Sequence, residues 1–502
     1  MIIEEYTVPG SIDRKIPHPA EPADARPRQP SSAMAPGCYM LDFSVYKPPA
    51  EYKVNHTTGG ENAKRWSMYI EENTQFQLKV VKKSGLDVDG TYLPPAIHPS
   101  IADEPKTDMK TAMLEAEMVM GGAVSDLLEK TGIKPEQIDI LISNCSIFCP
   151  TPSLASMLIN KFKFRRDIQA YHLGGMGCSI GVVAVGLVRD MLKAHPNSIA
   201  LFVPAEITTY CFYPGRHKDF LVANAIFRMG GAAMLMTNKP SLYSRCKYEL
   251  QHAERVHTGQ DDACISWGPD EDGINGVFLG KDVPVEAGKM LQAVIAKKPP
   301  RQPVREPAGA PLGAGTGPRP PPGPFWSGLG RTLFALCLRG RRRALVTPKI
   351  MTWGQYAEAA YRVFGKKVLG CDWGRYVPDY TKCMDHFALH AGGYAVLKGI
   401  QKGMSLPTEM MLPSFASLRD MGNTSSSTTW YSMAYMERFG MVKQGQRIMQ
   451  VRMGGLVCRA LAPGAGGLLS GGRGVVPHLH AARAGNKRLT PRAPPPTCYQ
   501  PA

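Results

Sequence analysis

Residues 171–179 read YHLGGMGCS, and the setting of Cys178 within them decides how the rest of the chain is read. A short β-type run, Ile168 to Leu173, leads into Gly174, Gly175 and Gly177; the cysteine follows, and then an apolar, Pro-free run from Ile180 to Leu192. The order is strand, tight glycine turn, buried helix, with the thiol at the helix N-terminus. Unsatisfied N–H groups and the positive end of the helix dipole lie there. A thiol so placed is predicted to lose its proton readily and to act as a nucleophile. The glycines would let a substrate carbonyl approach the backbone. The competing reading is a buried core cysteine, the commonest fate of the residue.

Working outward, helix and strand patterns alternate. Met109 to Thr131 has helical periodicity through Leu114, Met118, Met120, Val124, Leu127 and Leu128. Ile138 to Ser143 reads as a strand, and Thr151, ahead of Pro152, as the N-cap of a helix reaching Phe162. Ile199 to Val203 and Ala232 to Met236 read as buried strands. Further on, HTGQDD (His257 to Asp262) is a polar loop; Val285 to Ala296, Trp353 to Phe364, Gly393 to Gly403 and Thr424 to Phe439 read as helices. Phe387 to Leu389 and Arg447 to Arg452 read as strands. The alternation argues an α/β core.

The chain has 502 residues, 44% of them hydrophobic, enough for one large two-part core or about three small domains. Its net charge of +17 is unevenly spread. Pro299 to Thr347 holds eight arginines against one glutamate, and Val451 to Ala502 holds six arginines and one lysine with no acid, so each segment carries +7 and the remainder +3. The charge lies in Pro-, Gly- and Arg-rich low-complexity tracts with few aromatics, which argues against a nucleic-acid partner. Residues 1–37 read as a disordered extension, 299–344 as a dispensable low-complexity insertion, and 453–502 as a low-complexity tail. The twelve cysteines contain no CxxC pair, and Cys145 and Cys149 lack the second pair a zinc site needs; their scatter fits a reducing compartment. No metal or cofactor is predicted, because the glycines of GGMGC lack the GxGxxG spacing of a dinucleotide site. No run of 18 apolar residues marks a transmembrane helix.

Five stretches, in this order, resemble the plant-type 3-ketoacyl-CoA synthases, the condensing enzymes of very-long-chain fatty acid elongation. They are NCSIFCPTPSLASMLINKFKFR (Asn144 to Arg165), YHLGGMGCSIG, NAIFRMGGAAML (Asn224 to Leu235), HFALHAGG (His386 to Gly393) and GNTSSSTTWY (Gly422 to Tyr431). The resemblance runs from about Cys38 to about Gln450 with one interruption. It implies an α/β, thiolase-like fold: two related βαβ-based halves in a layered αβαβα arrangement. The N-terminal half would be residues 38–256, carrying the nucleophile; the C-terminal half would be 257–298 with 345–452. It also implies acyl-CoA and malonyl-CoA as substrates, a homodimer, and association with other elongase subunits. An endoplasmic reticulum membrane location is implied as well, although this chain lacks the paired transmembrane helices that usually precede the segment matching CYMLDFSVYKPP (Cys38 to Pro49), so that it would be peripheral or soluble if complete.

The resemblance carries His390 and Asn423 into the site beside Cys178. Cys178 would hold the acyl group as a thioester, with its own backbone N–H as an oxyanion donor. His390 and Asn423 would stabilise the enolate left when malonyl-CoA loses CO2, and His390 would help set the Cys178 thiolate. Read without the family, His390 is a strand-end histidine and Asn423 an N-cap or turn residue. His386, His257, His252 and Glu206 read as supporting or structural. Gly177, Gly454 and Gly455 read as backbone oxyanion positions, the last two standing where the family has a glycine turn after its final strand. Arg452 enters just ahead of them and breaks the family pattern, and Cys458 is followed by Arg459 rather than an apolar strand. A misplaced oxyanion donor and a sheet short of its last strand would make a weak enzyme. Two other readings stay open: a type III polyketide synthase, which shares the Cys, His and Asn trio, and a catalytically degenerate subunit partnering an active elongase.

Overall fold

Strand alternation sends successive side chains to opposite faces of a sheet, and in this chain both faces are apolar. The computed structural model describes residues 3–6, 37–87, 89–254, 265–280, 377–452 and 454–460, with Gln355, Glu358, Tyr361 and Arg362. Ten of its strands form one sheet: β1 (Ile3–Tyr6), β2 (Tyr39–Val45), β3 (Ile140–Asn144), β4 (Gln169–Leu173), β5 (Ile199–Glu206), β6 (Gly230–Thr237), β7 (Tyr248–Glu254), β8 (His386–Leu389), β9 (Arg447–Arg452) and β10 (Gly454–Ala460). The order is β8-β9-β1-β10-β7-β2-β6-β5-β3-β4. β3 runs parallel to β4 and β5, and β8 runs parallel to β9. β7 joins the halves, antiparallel to β2 through Tyr39↔Glu249 and to β10 through Ala460↔Tyr248.

Eight longer helices among the described residues pack on and around the sheet: α1 (Glu71–Ser84), α2 (Met109–Thr131), α3 (Leu154–Phe162), α4 (Ile180–Ala194), α5 (Lys218–Ile226), α6 (Tyr394–Met404), α7 (Thr408–Met421) and α8 (Thr428–Arg438). Leu141, Leu201 and Leu235 pack with Val119, Ala123 and Leu127 of α2. Their neighbours Ile140, Phe202 and Met234 point the other way, onto Val182, Val185 and Val188 of α4 and Trp430 and Met433 of α8. That central cluster also takes Ala388 of β8 and Ile448 of β9. Phe387, Leu389, Met449 and Val451 face outward onto Leu397 of α6 and Leu418 of α7. The layers are helix, sheet, helix, sheet, helix, with the strands curling round α4 and α8. Each fully buried aliphatic side chain contributes about 1.5–3 kcal/mol, and the central layer receives it on both sides.

α2 has the predicted bounds because both ends are capped. Asp108 accepts from the Lys110 and Thr111 N–H groups at 2.8 and 3.1 Å, and Gly132 closes the helix at φ 66°. The cap of α3 is Ser153, whose Oγ accepts from Ser156 N at 3.3 Å, not the predicted Thr151. The stretch predicted as one helix from Thr424 divides into a 3₁₀ turn, Ser425–Ser427, and α8. Gln355, Glu358, Tyr361 and Arg362 are helical, in the stretch where a helix is predicted.

Two expectations are corrected. Within the predicted extension, Ile3–Tyr6 form β1, antiparallel to β9 from Ile3↔Val451 to Tyr6↔Ile448. The sheet also has its last strand: β10 pairs antiparallel with β9 from Arg452↔Gly454 to Arg447↔Arg459. Both corrections have one cause. A strand edge offers backbone donors and acceptors whatever the composition of the segment it captures. The HTGQDD loop, the Val285 to Ala296 helix, the 299–344 insertion and the tail beyond 460 lie outside the described residues. Among the described residues, no helix is long and apolar enough to cross a membrane.

Candidate active site

Cys178 lies in a 3₁₀ turn, Gly177–Ser179, that runs directly into α4. Gly175 and Gly177 hold φ values of 68° and 60°, the left-handed region that glycine enters without strain. A Cβ at either would meet nothing within 4 Å, so backbone conformation, rather than close approach, is what calls for glycine here. The N–H of Gly177, a predicted oxyanion position, donates to Ser146 Oγ at 2.6 Å. Gly454 and Gly455 are the first residues of β10, opposite Arg452 and Val451, rather than a free turn.

The thiol is buried, and burial pushes its pKa up to about 11, contrary to the easy ionisation expected from its helix-start position. Desolvation outweighs the dipole here. The Ser425 hydroxyl contact and the Arg452 charge pull the value down, and Glu206 pushes it up. Ser425 Oγ lies 3.5 Å from Cys178 Sγ and 3.0 Å from Glu206 Oε2. Glu206, the last residue of β5, also accepts from Cys145 Sγ and Ile147 N through Oε1, each at 3.1 Å, and from Ser146 N through Oε2 at 3.4 Å. Burial raises its pKa while these donors oppose the rise.

His390 follows β8, and its N–H donates to Val451 O at 2.7 Å, which ties it to the end of β9. Its Nδ1 lies 2.7 Å from Thr428 Oγ1, and Thr428 Oγ1 donates to Ser425 O at 3.1 Å. Burial first, and the Arg452 charge second, push its pKa down to about 3, so the ring is neutral at working pH. Asn423 accepts from Ser425 N through Oδ1 at 2.9 Å, which orients its amide, and Nδ2 donates to Gly392 O at 3.3 Å. The space a Gly392 side chain would occupy lies 3.0 Å from His390 Nε2. The two side chains therefore meet around one glycine.

The segment Asn423–Thr429 brings the trio together. Ser425 links Cys178, Glu206 and Asn423, and Thr428 links Ser425 to His390. Ser425 itself holds φ 54°, a left-handed conformation costing about 1–3 kcal/mol in a non-glycine residue. In the sequence these serines and threonines match a family stretch and carry no assigned role. Their signal is six consecutive small polar residues, Thr424 to Thr429, all of them buried. Arg452 reads in the sequence only as a break in pattern, yet it is buried among these groups.

The remaining candidates fall elsewhere. His386, at the amino end of β8, is held by Gln446 through Nε2···Oε1 at 2.9 Å. His252 lies half-buried on β7, and His257 is outside the described residues. His217, Asp270 and Asp272 lie close enough together to hold a cation. Asp270, however, already accepts from the Tyr213 hydroxyl and from two backbone N–H groups, and Arg216 sits 3.5 Å from Asp272.

A mostly apolar pocket of about 140 Å³, open to solvent on one side, lies between α1 and α5. Trp66, Val81, Ile97, Cys211, Phe227 and Arg228 contribute to its wall. That wall is bonded to the site: Arg228 N donates to Asn423 O at 2.9 Å, and Asn423 N donates to Ile226 O at 3.2 Å. The Arg228 guanidinium binds the carbonyls of Asn224, Ala225 and Phe227, closing the C-terminal end of α5.

Residues 32–307 match the family of FAE1/type III polyketide synthase-like proteins. Two Arabidopsis thaliana proteins, 3-ketoacyl-CoA synthase 6 and 3-ketoacyl-CoA synthase 5, are each 36% identical to this chain over 426 residues; the matches cover 84% of the chain and 75% and 76% of those proteins. Among solved structures, 1,3,6,8-tetrahydroxynaphthalene synthase from Streptomyces coelicolor, a bacterial type III polyketide synthase, superposes with a TM-score of 0.55 at 16% identity, covering 82% of this chain and 94% of its own. A single-residue mutant of CsyB complexed with CoA-SH superposes with a TM-score of 0.56 at 16% identity, covering 84% and 97%. At that identity the likeness speaks for the thiolase-like fold.

Proposed function

Because the chain belongs to the 3-ketoacyl-CoA synthase family and is an acyl-condensing transferase of fatty acid elongation, we propose that Cys178, His390 and Asn423 carry its decarboxylative condensation. The observation supporting this reading is the meeting of all three side chains on the buried Asn423–Thr429 segment. In the first half-reaction the Cys178 thiolate attacks the thioester carbonyl of a long acyl-CoA. CoA leaves as its thiolate and takes up a proton, and the acyl group remains on sulfur. In the second, malonyl-CoA loses CO2, and the electron pair of the broken bond becomes an enolate on its thioester oxygen.

His390 and Asn423 suit that enolate because both are neutral donors. Thr428 has one hydroxyl proton and two acceptors in reach, Ser425 O and His390 Nδ1; when that proton turns from the carbonyl to Nδ1, the shorter contact, His390 carries its ring proton on Nε2, on the side of Gly392. One N–H of Asn423 is spent on Gly392 O, and the other is left for the substrate. A charged donor would instead grip the malonyl carboxylate and oppose its loss. The carbanion then attacks the Cys178 thioester, the 3-ketoacyl-CoA departs, and the cysteine sulfur regains a proton. The apolar cavity behind Asn423 is assigned to the acyl tail. Malonyl-CoA as the extender belongs to the same proposal and is consistent with the names of the curated relatives; a homodimer, other elongase subunits and an endoplasmic reticulum setting are proposed with it on the family resemblance alone.

The test is to supply the purified chain with malonyl-CoA and either long saturated acyl-CoAs or an aromatic starter-CoA, and to identify products by mass. The expected product is the 3-ketoacyl-CoA two carbons longer than the long acyl-CoA. Multiply extended products from the aromatic starter alone would assign the chain to polyketide synthesis instead.

A further inference from the structure

Arg452 is the feature of the site that neither the family pattern nor the proposed chemistry uses. It is the last residue of β9 and is 1% exposed. Its Nε donates to Thr429 Oγ1 at 2.7 Å, its Nη2 donates to Gln450 Oε1 at 3.0 Å, and its Cζ lies 5.3 Å from the centre of the Trp430 ring. On its other side, a methyl group at Gly181 would collide with Arg452 Nη1, so the guanidinium occupies the space over the first turn of α4, three residues beyond Cys178. Val451 and Thr428, neighbours of Arg452 and Thr429, are the two residues that hold His390. The same pair of elements therefore fixes the imidazole and the cation.

A charge held in a dry interior acts on the groups around it far more strongly than one in water. We infer that Arg452 is a fixed positive charge of the catalytic centre that supports the anionic sulfur of Cys178, before loading and again when the condensed product leaves. The inference rests on Cys178 being the nucleophile. At that sulfur the Ser425 hydroxyl lies 3.5 Å away, and the charges of Glu206 on β5 and Arg452 on β9 act on it, with the buried thiol of Cys211 from the short helix Thr208–Cys211 coupled to it. Of the charged groups among them, Arg452 favours the thiolate, whereas Glu206 opposes it. Burial first, and Arg452 second, hold His390 neutral, the form in which the ring is a donor rather than a cation. The same charge thus favours the anionic nucleophile and adds to the burial that keeps the imidazole uncharged. It is a positioning and electrostatic residue and makes no bond to substrate.

The experiment is the pH profile of Cys178 alkylation by iodoacetamide, read by mass on the Cys178 peptide, in the full chain and in Arg452→Met, Arg452→Lys and Arg452→Gln. Removing a nearby opposite charge raises a pKa by about one unit or more. The Met variant should shift the profile up by about one unit and react about tenfold more slowly at pH 8. The Lys variant should stay near the parent. Because Met drops a buried charge, its melting temperature should hold or rise. A folded Met variant with the parent profile overturns the inference, as does a Lys variant that shifts with Met. If Met does not fold, Gln is used in its place, since it drops the charge but keeps hydrogen-bonding capacity. Unfolding of both would make Arg452 a packing residue and overturn the inference too. Failure of the underlying reading looks different: the parent would form no acyl adduct at Cys178 from long acyl-CoA, while alkylation still tracked the residue at 452.

Discussion

The two ends of the parallel strands in this molecule are built differently. At the amino ends, polar groups are paired and partly solvated. Asp139, ahead of β3, takes Arg165 at 3.1 Å, Lys239 at 3.6 Å and the Ile199 N–H at 2.8 Å. His386, opening β8, takes Gln446, and Asp385 takes the Arg447 N–H at 2.8 Å. At the carboxyl ends lie Cys178 beyond β4, Glu206 ending β5, His390 beyond β8 and Arg452 ending β9. All are buried, are held by hydroxyls, amides or backbone, and act on one another across a dry space. Paired, wet groups stabilise a fold modestly. Buried groups with displaced pKa values mark a site. The histidines that open and follow the short strand β8 illustrate the contrast.

The largest effect of breaking the carboxyl-end cluster is expected at Asn423. Asn423→Ala should still load an acyl group on Cys178 but release CO2 from malonyl-CoA about a hundredfold to a thousandfold more slowly, the loss typical of one oxyanion-type donor. Normal decarboxylation with lost loading would reverse the division of labour proposed between Cys178 and Asn423.

A second contrast is acid sensitivity. His390 binds its proton far more weakly when folded than when unfolded, because burial and Arg452 disfavour the imidazolium. Its contribution to stability is fully present above about pH 6.5, the unfolded value, and declines as pH falls toward the folded value of about 3. The decline should reach about 2 kcal/mol by pH 5. Chemical denaturation at pH 7 and pH 5 should show a smaller difference in His390→Gln than in the parent, and equal differences would contradict the burial argument.

The smallest effect is expected at the amino end. His386→Ala removes one partly buried hydrogen bond, worth about 1 kcal/mol, and should leave condensation within about twofold of the parent. A large loss of turnover in a stably folded His386→Ala would erase the distinction between the two strand ends.

What could be read from sequence follows the same line. α2 was legible to the residue because Asp108 and Gly132 punctuate it. The glycine turn of Cys178 was legible because positive φ leaves a mark in composition. His390 and Asn423 became candidates only through resemblance to a family, since a strand-end histidine and a turn asparagine carry no chemistry of their own. The raised Cys178 pKa was not legible: a helix start argues for a thiolate, and only packing shows how dry the position is. β1 and β10 were missed because their pairing is made by backbone atoms, which composition does not report. Arg452 stood in an Arg-rich tract where a solvated charge is the normal reading. Its burial follows from the register of β9 and from the open space over Gly181.

The central claim is that the carboxyl-end cluster is a covalent acyl-transfer site built on Cys178. The most direct measurement is peptide-resolved mass spectrometry after incubating the chain with a long acyl-CoA, followed by a chase with malonyl-CoA. The account predicts an acyl adduct on the Cys178 peptide, absent in Cys178→Ala, that disappears during the chase as the 3-ketoacyl-CoA appears. An adduct that survives in Cys178→Ala, or one on Cys178 that malonyl-CoA does not discharge, would contradict it.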